Sequence, residues 1–173
     1  MKAFYNKLIE TFNKPETKAL YTDKNMPAIS QVDFYAGQDQ EPESFEYLQL
    51  PGLFFSWSIN YENEPAVASL QFRLLFENLR STSSFYINND KALAFFDAAE
   101  ITDQLLKSIN IDELGALHLV SEGLETEPTV TDVYLLDYEA HYYGKCKSRI
   151  RTTEAGEIDD TTVMGNLKTR YGI

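Results

Sequence analysis

Apolar and polar residues follow two different periods along this chain, and each change of period marks an element. Between residues 2 and 12, Tyr5, Leu8, Ile9 and Phe12 recur at steps of three and four, which predicts an amphipathic first helix. Pro15 disfavours helical backbone in the residue before it, so that helix is expected to end just short of it. Residues 22–27 are polar and read as loop, residues 29–35 as a first strand closing at Ala36 and Gly37, and the acidic stretch 39–44, with Pro42, as an exposed loop. The period then becomes two. Leu53, Phe55, Trp57, Ile59 and Tyr61 share one face, and Phe54, Ser56, Ser58 and Asn60 share the other. After a polar turn over 62–65, Leu70, Phe72, Leu74 and Phe76 alternate with Gln71, Arg73, Leu75 and Glu77. Two such runs around a short turn predict a β-hairpin.

Residues 81–89 form a mostly polar loop, and from 91 to 109 the helical period returns through Phe95, Ala98 or Ala99, Thr102, Leu105 or Leu106, and Ile109. Asp90 fits as N-cap, its carboxylate accepting an N–H at the helix start. This long helix is expected to lie across the sheet and cover the aromatic face. Two closing strands follow, over 117–122 and 129–143. In the second, Tyr134, Leu136, Tyr138, Ala140 and Tyr142 alternate with Val133, Leu135, Asp137, Glu139 and His141. That run is longer than a core needs, which predicts either a bend or bulge, or a strand reaching toward another subunit.

Beyond Gly144 the alternation is one of bases, Lys145, Lys147, Arg149 and Arg151, with Cys146, Ser148 and Ile150. An acidic stretch and Gly165 come after it. Residues 1–144 thus read as one α+β domain, and residues 145–173 as an extended C-terminal arm too poor in apolar residues for a core of its own. Either the arm frays, or it finds its contacts on a neighbour or across the surface. There is no internal repeat.

With 173 residues, 43% of them apolar and 24% charged, the chain is long enough for a full core and is not disordered by composition. No apolar run approaches the ~20 residues that span a bilayer, and the N-terminus lacks the apolar core of a signal peptide, so a cytoplasmic site of synthesis is expected. Charge is uneven. Of 15 bases and 27 acids, six and four follow Gly144, which leaves nine against twenty-three, or −14, in the body. Such a body repels phosphate backbones, which argues against general nucleic-acid binding and suits a protein that DNA slides past.

Candidate chemistry is sparse. A single cysteine, Cys146, rules out an internal disulfide and a cysteine metal cluster. His141 lies ~17 Å from it along an extended chain, too far to act as its base without a turn at Gly144. The sequence holds no glycine-rich phosphate loop, no G-x-S-x-G, no H-E-x-x-H and no acidic calcium loop. His118 and His141 fall on the last two strands and can be cross-strand neighbours, but two ligands without a third make a poor metal site. Glu154, Glu157, Asp159 and Asp160 suit a divalent ion only if folded together, and read more simply as a solvated stretch. Eleven Phe and eleven Tyr either fill the core or line a ligand cavity, and their strand and helix spacing favours the core. No cofactor or metal is expected.

The order of elements resembles a known family. An amphipathic helix precedes VDFYAGQ; LPGLFFSWSINY leads into ASLQFRLLFENL; the helix ALAFFDAAEITDQLLKSI and the strands GALHLVSEG and VTDVYLLDYEAHYY complete the set. Over residues 1–144 this is similar to the tail-terminator (tail-completion) and related minor tail proteins of long-tailed bacteriophages. The resemblance implies an α+β fold with a mostly antiparallel central sheet, an N-terminal helix and a long helix packed on it. It also implies a homohexameric ring that caps the tail tube and joins it to the head–neck connector, at the tail–neck junction of the virion. DNA passes through without specific binding, and no enzymatic activity is implied. The arm does not align with the family; Lys145, Lys147, Arg149, Arg151 and Tyr171 are its candidate contacts with subunits or partners. Three other readings stay open: another neck or head-completion subunit, a small-molecule binder or enzyme with an aromatic cavity, and an acidic inhibitor or adaptor that mimics nucleic acid.

Overall fold

A computed structural model of the protein describes residues 1–76, 89–126 and 129–144. Residues 81–88 of the loop expected over 81–89, and the arm from Lys145 onward, with Lys147, Arg149, Arg151 and Tyr171, lie outside the described residues, while Asn89 opens a helix. The described elements are α1 (Lys2–Asn13), α2 (Pro15–Asp23), β1 (Gln31–Phe34), β2 (Gly52–Asn60), β3 (Ala66–Phe76), α3 (Asn89–Ser108), β4 (His118–Leu124) and β5 (Asp132–Tyr142). They make an α+β fold around one five-stranded sheet in the order β1-β2-β3-β5-β4. Every neighbouring pair is antiparallel except β1 with β2.

The expected helix does end before Pro15, but a second helix starts on that residue. Lys14 is extended, as a residue before proline prefers, and Pro15 takes the first helical position, where its missing N–H costs nothing. The new helix, α2, absorbs Thr22 and Asp23 from the stretch expected to be loop. Asn25 ends it in the left-handed conformation at φ 58, with the Asn25 and Met26 N–H groups donating to the Thr22 and Tyr21 carbonyls. The hairpin forms as its alternation predicts, Phe55 opposite Phe72 and Trp57 opposite Leu70, although β3 begins already at Ala66. Asp90, expected as a cap, falls inside the first turn of α3.

Period-two alternation sends one side chain of each pair to each face of the sheet. One face carries Leu53, Phe55, Leu70, Phe72, Leu74, Leu136 and Tyr138, all buried, and it forms the main core with the helices. Here the structure corrects the expected cover. The aromatic end of β2 lies under α1: Phe4 meets Phe55 and Phe72 edge-on at centroid distances of 5.9 and 6.3 Å. Helix α3 covers the other end, with Phe95 against Phe76 and Tyr134. The two helical coverings are tied where Tyr21 of α2 donates from its hydroxyl to Thr102 Oγ1 of α3 at 2.8 Å, Thr102 in turn donating to the Ala98 carbonyl.

The other face is split in two. Near the start of β2 it is apolar: Phe54, Leu75 and Val133 are buried there beneath Tyr35, Leu48 and Leu50. The residues between β1 and β2 form that lid, and their supposedly exposed acidic stretch is not exposed at its start. Asp39 is 0% exposed and Gln38 4%. Gln38 replaces missing strand pairing with its own amide, accepting from the Ala36 N–H and donating to the Phe34 carbonyl.

Candidate assembly surfaces

The second half of that face is polar and uncovered by the described residues. Strand register places Ser56, Gln71, Asp137 and Ser121 in one row across the sheet, and Ser58, Ser69, Glu139 and His118 in the next. In the first row Gln71, Asp137 and Ser121 are linked by hydrogen bonds. Gln71 Nε2 donates to Asp137 Oδ1 at 3.0 Å, and Ser121 Oγ donates to Asp137 Oδ2 at 2.7 Å. Because β2 and β3 contribute serines while β5 contributes longer side chains, the rows form an open trough of about 360 Å³. His118 stands opposite Glu139, so His118 and His141 are not cross-strand partners. Among the described residues, no group of three or more His, Cys, Asp or Glu is placed to hold a metal ion.

Between the trough and the apolar lid lies a charged cluster that the sequence did not single out. Arg73 Nη1 is 2.8 Å from Asp39 Oδ2 and 3.3 Å from Glu125 Oε2. Tyr35 donates its hydroxyl to Asp39 Oδ1 at 2.8 Å, and the Arg73 guanidinium sits 4.4 Å from the centre of the Tyr35 ring. The Asp39 carbonyl also accepts from the Val130 N–H. Burial, then the bond to Asp39, pushes the Tyr35 phenol upward, so it stays a donor. This cluster has the geometry of a clamp that pins the lid to β3. It is not an open site.

Both ends of the strand order carry exposed apolar groups. At one end, β1 pairs only with Gly52–Phe55, so among the described residues the rest of β2 has no strand beside it on that side. There Phe34 and Trp57 are 39% and 40% exposed, their rings 5.2 Å apart, and Tyr5 stacks on Phe34 at 4.3 Å. At the opposite end, Phe96 of α3 is 47% exposed and packs edge-on against Tyr134. Leu124 of β4, half exposed, is the register partner of that same tyrosine, and Leu93 is exposed one turn before Phe96. Single exposed apolar side chains are ordinary; clusters at two opposite edges are the feature of interest.

The rings on the helix-covered face pack against one another. Phe55, Phe72 and Tyr138 pack in succession at 5.5 and 5.6 Å, and Tyr138 donates to Asp103 Oδ1 of α3 at 2.7 Å. No helix among the described residues is long and apolar enough to cross a membrane. No protein-family model matches the chain, and no curated protein matches it significantly.

Proposed function

We propose that the chain is a structural subunit that closes into a ring with copies of itself, in the manner of the phage tail terminators its element order resembles. In that role it caps the tail tube and meets the head–neck connector. Its strongly acidic body lets DNA pass without adhering. The observation that carries this reading is the pair of unlike apolar clusters at opposite ends of the sheet, Tyr5–Phe34–Trp57 and Leu93–Phe96–Leu124. A two-fold dimer needs one self-complementary patch, whereas a closed ring needs two different surfaces, each meeting the other on the next copy.

This arrangement has a decisive test. Trp57→Lys blocks one surface and leaves the other intact; Leu124→Lys does the reverse. Each variant alone is expected to be monomeric by light scattering in conditions where the parent assembles. Mixed, they are expected to give a one-to-one dimer and nothing larger, since only one good interface can form. A ring that persists in either variant, or a mixture that stays monomeric, rejects the head-to-tail arrangement.

A further inference from the structure

We propose that the open trough on the sheet is a docking groove for the basic segment 145–151 of a second copy of the chain. The inference rests on the self-assembly proposed above and gives it a second contact. Charge is the first argument. The trough presents Asp137 and Glu139 from one strand, whereas the segment carries four bases and no acid.

Spacing is the second. Asp137 and Glu139 are two residues apart on β5, so their side chains leave the same face at an interval of about 6.7 Å. Lys145, Lys147, Arg149 and Arg151 also occupy every second position, so an extended segment presents its bases at that same interval. Two consecutive bases can therefore face two consecutive carboxylates in register. Serine at positions 56, 58 and 69 keeps the neighbouring floor low, leaving room for long basic side chains.

Chain direction selects the second copy. Asp137 and Glu139 come before the end of β5, and the strand runs on past them to Tyr142. The Tyr143 N–H then donates to the Glu113 carbonyl at 2.9 Å, and the His141 carbonyl accepts from Gly115 N–H. Up to Tyr143 the backbone thus runs away from Asp137 and Glu139.

The test uses full-length chains with Cys146→Ser. One copy carries Lys147→Cys as donor, and another carries Ser69→Cys, or Ser58→Cys as an alternative acceptor. Mixed under mild oxidation, donor and acceptor are expected to give a band of two-chain mass on non-reducing gels. That band should weaken at about 1 M salt, where screening acts beyond about 3 Å. It should disappear when the acceptor also carries Asp137→Lys and Glu139→Lys. If light scattering shows assembled chains but neither acceptor cross-links, the groove is not the segment's site and the assembly proposal stands. A chain carrying both donor and acceptor that cross-links only within itself also overturns the second-copy assignment. Chains that remain monomeric at every concentration overturn both.

Discussion

Asp39 is the residue whose surroundings differ most from what its neighbours in sequence imply. It lies in a run of Gln, Glu, Pro and Ser that reads as solvated loop, yet it is fully buried against Arg73. A buried carboxylate is tolerated only when paired, and here the guanidinium, the Tyr35 hydroxyl and the packing of that ring supply the compensation. Asp39→Ala leaves the Arg73 cation with Glu125 as its remaining carboxylate. It is expected to cost about 3 kcal/mol, at the lower end for breaking a buried pair. Urea unfolding should show this as a lower midpoint at unchanged slope; a midpoint equal to the parent's would mean that the clamp contributes nothing. The tyrosines make a prediction about pH. Burial raises the phenols of Tyr21 and Tyr138 well above their ordinary value, and the bond to Asp103 raises Tyr138 further. The unfolded chain loses these protons near pH 10 while the folded chain keeps them. Their contribution is therefore complete below about pH 10 and is lost as pH rises toward the folded values. Stability should decline above about pH 10, with these two phenols ionising only as the chain unfolds. Ionisation of all eleven tyrosines with the near-ultraviolet dichroism still native would contradict this.

Helices α1 and α3 divide the work of covering the sheet, and they do so unequally. α1 buries Phe4, Leu8 and Phe12 completely or nearly so, and Phe4 reaches both strands of the hairpin. Phe4→Ala is expected to cost about 3–5 kcal/mol, because the ring leaves a cavity that rigid neighbours cannot fill. α3 packs through Phe95 and Leu106 but turns Phe96 outward. Phe96→Ala should change monomer stability by no more than about 1 kcal/mol, and should weaken assembly instead. Denaturant unfolding of both variants, beside light scattering, separates the two roles. A large loss of stability in Phe96→Ala would mean that the ring serves the core and not an interface. Nothing in the periodicity of β2 says which helix covers it. Either amphipathic helix offers an apolar stripe to that face, and only the tertiary contacts put α1 over Phe55 and Phe72 and α3 over Phe76 and Tyr134.

For the molecule as a whole, the sheet's two faces and two edges differ in kind. One face is sealed by helices, and the other is half lidded and half polar trough. Its edges carry separate apolar clusters, and a net charge of −12 acts against non-specific association. That combination makes the head-to-tail test informative, because the substituted side chains Trp57 and Leu124 are already 40–50% exposed. Lysine there should leave each monomer folded, so a change in mass reports the interface alone.

The elements were legible in the sequence because hydrophobic period is a local property. The hairpin alternation, the long helix and the closing strands all appear near their expected places, and the α+β class follows from them. The polar set Ser56 and Ser58 was legible as well, as the counterpart of Phe55 and Trp57. Tertiary structure alone decided where that set leads. Only the register β2-β3-β5-β4 brings Ser56, Gln71, Asp137 and Ser121 into one row, across more than sixty positions of chain. It alone buries Asp39, since Arg73 is 34 residues away. It also puts Trp57 and Leu124 at opposite ends of one sheet. Local pattern fixes which way a side chain faces along its own strand or helix; its neighbours, its charge partner and its access to solvent depend on contacts between segments distant in the chain, and a single sequence carries no direct record of those.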